Sequence, residues 1–208
     1  MNKNLAEIVG IMLGDGGIYL NDNYKIRQVT ISGNSENDKD YLINYVKPLI
    51  EKEFNTKLSI KKHKTCKEIQ LISQQKDTVE KLRSIGIRTG NKKANNVGIP
   101  DWIFKNNKFV GACLRGIIDT DGCVAPKTKN HKAPSIWITS YIPQLREDIT
   151  KAFNKLSFHP SKWTTDSSPY CCLGKSEEVQ RYFKEIGFSN PYQRNRFSSY
   201  RSRRLAAK

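Results

Sequence analysis

The sequence predicts an α+β protein built from two similar halves. A nine-residue pattern, Ile8 to Gly16, returns as Leu114 to Gly122. Later landmarks keep step with it: Asp121 comes 106 positions after Asp15, and Gly187 comes 101 after Gly86. Helix and strand signals run in the same order after each copy, which marks a duplicated unit. The expected boundaries are a first half over 1–87, a linker and anchoring segment over 88–106, a second half over 107–191, and a basic tail over 192–208.

Asn4 and Glu7 read as a capping pair for the first helix, whose Leu5, Ile8, Ile11 and Met12 leave it apolar nearly all round. Such a helix is buried. Strands follow at 18–20 and 25–31. The second sets Lys25 and Arg27 on the parity of Val29 and Ile31, so presenting both basic side chains on an open face needs a bulge or twist. Ser35 and Asp38 open a helix carrying Tyr41, Tyr45, Leu49, Leu42, Val46 and Ile50, with a kink expected at Pro48. In the next hairpin, Leu58 and Ile60 alternate with Lys57, Ser59, Lys61 and His63, and Ile69 and Leu71 alternate with Glu68 and Gln70. One face is core and the other is basic and amide-bearing, as in a strand pair reading a groove. Val79, Leu82 and Ile85 form a short helix that stops at Gly86. Residues 88–96 read as linker and 99–103 as an anchor.

In the second half, a helix over about 108–120 leads to strands near 123–127 and 135–140, with Ile136 and Ile138 inward and Trp137 outward. Lys127, Lys129, His131 and Lys132 lie between these strands. Leu145, Ile149, Phe153 and Leu156 make an amphipathic helix. Strands around 161–165 and 170–173 and a helix with Val179, Phe183 and Ile186 complete the repeat, ending at Gly187. From Tyr192 the chain holds several arginines and no acid, and is expected to touch phosphate or to be disordered at its end.

A chain of 208 residues with 37% hydrophobic content can bury a core in each half. Its formal net charge of +16 points to a polyanionic partner. The five cysteines, Cys66, Cys113, Cys123, Cys171 and Cys172, lack zinc-site spacing, so reduced thiols and no zinc are expected. That favours the cytoplasm, in a prokaryotic cytosol or nucleoid ahead of an organelle. No apolar run reaches transmembrane length, no secretory signal is expected, and no phosphate-binding Gly-rich loop is present.

Each copy of the repeat carries small residues four apart, Gly10 with Gly14 and Gly116 with Thr120. That spacing makes one small-residue helix face, and two such faces let backbones approach closely. Packed in register, the helices would bring Asp15 and Asp121 together. Each acid sits at the negative end of its helix, where a carboxylate is disfavoured. Two carboxylates about 6 Å apart also repel by roughly 3 kcal/mol at an effective dielectric near 20. A hard divalent cation relieves both penalties, so Asp15 and Asp121, with the preceding Gly14 and Thr120, make a candidate metal centre. Gly16 and Gly122 read as helix-stop residues.

The two runs resemble the LAGLIDADG motif of homing endonucleases, in the form that places two motifs in one chain. The resemblance implies two αββαββα halves joined by a two-helix interface, with a β-saddle over double-stranded DNA. It also implies strand cleavage with Mg²⁺ held by an acid from each motif, Mn²⁺ substituting and Ca²⁺ binding without cleavage. The first copy has Leu13 where the second has Asp119, so Asp15 and Asp121 transfer as the pair. Family members place a basic or amide side chain near the attacking water. Lys175 takes that position in the second half, and counting the same eleven residues back from the Ile before the stop glycine gives Gln74 in the first, with Gln75 adjacent and Lys76 a fallback. The expected DNA contacts are Lys25, Arg27, Lys57, Ser59, Lys61, His63, Gln70, Lys127, Lys129, Trp137 and Lys162. The expected protein is a monomeric, site-specific endonuclease with a long target. An intron RNA maturase and a DNA-binding regulator that does not cut are the rival readings. Gly17-Ile18-Tyr19 resembles the opening of another nuclease motif but lacks its second element.

Overall fold

A computed structural model describes the chain apart from residues 22, 24, 64, 129–132 and 206–208, and gives only the backbone over 201–205. The first half runs α1 (Lys3–Gly14), β1 (Gly16–Asn21), β2 (Ile26–Asn34), α2 (Lys39–Tyr41), α3 (Lys47–Phe54), β3 (Ser59–Lys62), β4 (Glu68–Ser73) and α4 (Lys76–Ser84). A wide π turn, Leu42–Val46, joins α2 to α3. It lies where Pro48, which has no N–H to donate to the preceding turn, interrupts the regular ladder. After a 3₁₀ turn at Asp101–Lys105, the second half runs α5 (Asn107–Asp121), β5 (Gly122–Pro126), β6 (Pro134–Thr139), α6 (Pro143–Lys155), β7 (Tyr170–Leu173) and α7 (Ser176–Glu185), and α8 (Pro191–Leu205) closes the chain.

Both sheets are antiparallel, in the orders β1-β2-β4-β3 and β5-β6-β7. The second lacks a counterpart of β3. The segment expected as a strand at 161–165 lies beside β7 without forming a full ladder. Ser161 N donates to Cys172 O at 2.8 Å and Thr164 N to Tyr170 O at 2.9 Å. With that strand reduced to two backbone–backbone bonds, each half still follows one αββαββα plan.

A continuous core joins the halves, with Ile8, Ile11, Cys113, Leu114 and Ile117 at its centre. Several local expectations change. The α1 cap is Asn2, whose Oδ1 accepts from Leu5 N at 2.8 Å, while Asn4 instead bonds Glu53. Gly16 and Gly122 are not left-handed stops. They begin β1 and β5, and a Cβ at Gly16 would lie 2.6 Å from Met12 Cα, so the close approach of strand to helix requires glycine. Left-handed stops do occur at Gly86 and Gly187, with φ of 104° and 71°.

The segment from Tyr192, expected as a basic tail, belongs to α8 and packs on β5. Phe197 is buried and stacks on Phe183, and Gln193 bonds the β5 backbone through Val124 N and Gly122 O. The helix thereby covers what would be an open sheet edge. No described helix is long and apolar enough to cross a membrane.

Candidate active site

Helices α1 and α5 touch backbone to backbone. A Cβ at Gly10 would overlap the Cys113 carbonyl, one at Gly116 would lie 2.8 Å from Ile11 N, and one at Gly14 would overlap the Thr120 hydroxyl. Thr120 turns that hydroxyl back onto its own helix, donating to Gly116 O at 2.9 Å and Ile117 O at 3.0 Å. The pair is locked by a buried ion pair the sequence did not reveal. Arg115 Nε donates to Glu7 Oε1 at 2.9 Å, and Tyr45 and Ser189 donate hydroxyl bonds to the same carboxylate. A buried charge survives only with partners on every side, and here those partners come from both halves.

The crossing delivers the two acids to one place. Asp15 caps α1, its backbone N donating to Ile11 O at 3.0 Å, and its carbonyl accepts from Ser32 N at 3.1 Å. Asp121 ends α5, and a Cβ at Gly14 would stand 3.5 Å from its carboxyl carbon. Burial pushes the Asp121 carboxyl up to about 6, against the nearby Lys92 ammonium. Burial, then the charges of Asp121 and Asp38, push Asp15 up to about 7, again opposed by Lys92. The pair therefore ionises in steps that belong to both groups, and the second charge has to form against the first.

Lys92 is the third member of the site. Its ammonium donates to Leu13 O at 2.9 Å and Met12 O at 3.3 Å, and more closely still to Gly14 O. Burial lowers its pKa, while Asp121 and Asp15 hold it up. It caps the negative end of α1 and offsets part of the paired charge. Gly14, expected to offer its carbonyl to a cation, has that oxygen taken by this ammonium. Two carboxylates face one ammonium, so with both acids ionised the pocket remains short of positive charge. Two half-buried carboxylates with that deficit fit a hard divalent cation.

Asp119 does not share this pocket. It is buried, accepts from Ser189 N at 2.7 Å, and burial raises its pKa strongly. Its Oδ1 and the Tyr41 and Tyr182 hydroxyls have no hydrogen-bond partner among the described residues. Leu13 is its apolar counterpart.

Lys175 and Gln75 are equivalent by structure. Each is the N-cap of its helix, α7 or α4, with φ, ψ of −73°, 125° and −74°, 128°. Gln74 lies one residue early, because α7 has ten residues and α4 nine, and counting back from the helix ends slipped by one. No described contact joins Lys175 or Gln75 to the acids. Gln75 instead accepts from the Thr56 hydroxyl at 2.8 Å.

Register sorts the remaining candidates by face. In the first sheet Ser59 pairs with Ile72, Lys61 with Gln70, Ser32 with Gln70 and Tyr19 with Gln28, which puts these side chains on the face away from the core. Lys57 and His63 have the same parity. The register of β2 is continuous from Ile26 to Asn34, with no bulge, so Arg27 keeps the parity of buried Val29 and Ile31. Lys25 sits in the preceding turn with φ of 53°. Gln28 and Thr30, passed over in the sequence, occupy the open face in place of Lys25 and Arg27. In the second sheet Trp137 pairs with Cys123 and Cys172 on the open face, lies tilted against Tyr170 with ring centroids 5.4 Å apart, and spends its N–H on Ala125 O. Lys127 lies over Gly174, and Lys162 is exposed beside β7. Lys129, His131 and Lys132 lie outside the described residues. A broad polar cleft bordered by Arg83, Arg88 and Asp148 contains neither acid.

Two repeated αβ units meeting at paired motif helices, each ending in an acid, are the LAGLIDADG fold in its single-chain, two-motif form. Residues 108–187 match the family model described as a LAGLIDADG-like domain. Among solved structures it is similar to the homing endonuclease I-DmoI. The complex with DNA and Ca matches at 18% identity and a TM-score of 0.66 over 96% of this chain and 97% of that one. The complex with DNA and Mn matches at 17% identity and 0.64 over 89% and 96%. Full-length DUF199/WhiA from Thermatoga maritima matches at 13% identity and 0.61, over 97% of this chain and 60% of that one. At these identities the likeness carries the fold. No curated protein sequence matches the chain.

Proposed function

We propose that the protein is a site-specific double-strand DNA endonuclease of the homing type, working as a monomer with Mg²⁺. The observation that carries this is the convergence of Asp15, Asp121 and Lys92 at the joined ends of α1 and α5. I-DmoI, of the same fold, is seen with DNA and with Mn, Ca or Mg, which supports a divalent ion here. Asp15 and Asp121 would hold that ion through carboxylate oxygens beside Thr120. Mn²⁺ would substitute, and Ca²⁺ would bind without supporting cleavage. When bound, a divalent ion polarises phosphate oxygen and makes water more acidic.

The chain's own groups do the rest. Lys57, Ser59, Lys61 and Gln70 on one sheet, and Lys127, Trp137 and Lys162 on or beside the other, would meet backbone and base edges of a long duplex target, a reading supported by the shared open face of Ser59, Lys61 and Gln70. The Lys92 ammonium, which Asp121 and Asp15 hold up against the lowering effect of burial, would lie beside the acids where charge on the scissile phosphate grows. Lys175 and Gln75 orient water in their respective halves. The cysteines, all free, suit a reducing cytoplasm.

Incubation with a randomised duplex library, followed by sequencing of the ends, tests the proposal. One recurrent target cut on both strands, and lost when the divalent ion is chelated, is expected. Tight binding of intron RNA with no duplex cutting would support the maturase reading instead, and duplex binding without cutting the regulator.

A further inference from the structure

Outside the paired acids, the tip of the β3–β4 hairpin gathers three side chains with ligand atoms of different softness. His63, Cys66 and Glu68 each offer one atom, and the three atoms lie within 4.8 Å of one another. His63 Nε2 is 3.7 Å from Glu68 Oε2, and Cys66 Sγ is 3.9 Å from the same oxygen. The first separation is too long for a hydrogen bond. Zinc bonds of about 2.0–2.3 Å in a tetrahedron would put neighbouring ligand atoms roughly 3.3–3.7 Å apart, so the two separations to Glu68 are already near that range and a side-chain movement of about 1 Å closes the widest pair.

Two further observations support a ligand here. His63 Nε2 is shut off from solvent and has no hydrogen-bond partner among the described residues. Gln70 Nε2 donates to Glu68 Oε1 at 2.8 Å and holds the carboxylate with its other oxygen toward His63 and Cys66. Metal ligands are commonly oriented in this way by a neighbouring donor. The backbone is already closed across the tip, His63 N donating to Glu68 O at 3.1 Å.

We propose that His63, Cys66 and Glu68 bind one zinc-class divalent cation, with water in the fourth position, which clamps the tip of the β3–β4 hairpin. The donor set of nitrogen, sulfur and oxygen selects a borderline-soft ion over Mg²⁺, so the site is separate in chemistry from the acid pair. This departs from the expectation that the cysteines hold no zinc. The residues form His-x-x-Cys-x-Glu, a pattern that crosses a turn and shows its convergence only once the strands pair.

The test uses the full chain, reduced, with Mg²⁺ in excess, titrated with Co²⁺ as the spectroscopic stand-in and then with Zn²⁺. One equivalent of Co²⁺ giving a thiolate charge-transfer band, displaced by Zn²⁺, is expected. Cys66→Ser should abolish the band, and His63→Ala should weaken Zn²⁺ binding at least tenfold, while Cys123→Ser leaves both unchanged. X-ray absorption of the Zn²⁺ protein should show one sulfur among nitrogen and oxygen ligands. No band, a band that persists in Cys66→Ser, or a zinc shell without sulfur would overturn the proposal. None of these readouts depends on DNA cleavage.

Discussion

Asp15 and Asp121 are held above the ordinary carboxyl value of about 3.9, at about 7 and about 6. Between those limits the folded metal-free protein binds more protons than the unfolded chain, so these groups make stability fall as pH rises from about 4 to about 7. Asp15→Asn removes the second charge and leaves Asp121 to pair with Lys92. In chelator its melting temperature should exceed the parent's at pH 8, by roughly 2–4 °C per kcal/mol of relief, with the difference nearly gone at pH 5. A lower melting temperature at pH 8 would mean that the acids do not strain the fold. Lys92→Met should slow cutting at least tenfold in single-turnover assays, since it removes the charge fixed beside both carboxylates. The acids were legible in the sequence because the motif repeats. Lys92 was not, since nothing in a Lys- and Asn-rich linker marks which lysine returns 78 positions to bond Gly14.

At the scale of elements, the small-residue face of α1 and α5 carries a sharp contrast. Gly10→Ala would drive a methyl into the Cys113 carbonyl, whereas a Cβ at Gly111, also on α5, meets nothing closer than 3.7 Å. Thermal or urea unfolding should show Gly10→Ala destabilised by about 3 kcal/mol or more through overpacking. Gly111→Ala should be stabilised by up to about 1 kcal/mol from helix propensity. Equal effects at the two sites would contradict the crossing described. Periodicity exposed most of the helices and strands, including the alternation of β3 and β4. It failed where tertiary contacts decide. Segment 161–165 has only part of a ladder to join, and α8 carries so little apolar patterning that its arginines read as tail, although Phe197 and Gln193 anchor it. Counting between helix ends picked Gln74, and only the caps of α4 and α7 identify Gln75.

For the whole molecule, a net charge of +16 and the polar open face of the first sheet, with Gln28, Ser59, Lys61 and Gln70, describe a surface for a polyanion. Duplex affinity should fall steeply with salt, by about a thousandfold between 50 and 200 mM if six or more phosphates are neutralised. A flat salt response would exclude that mode of binding. The doubled architecture was visible in the spacing of two motifs. The open face of β2 was not, because the parity of Lys25 and Arg27 turns on a bulge that β2 does not have.

The most direct measurement compares the parent with Asp121→Asn on a duplex carrying the target recovered from the library, following binding and cutting in the same samples with Mg²⁺. Asp121→Asn should retain specific binding within about tenfold, ~1.4 kcal/mol, and cut neither strand. Cutting of both strands at the parent's rate by Asp121→Asn would contradict the assignment of the paired helix ends as the catalytic centre.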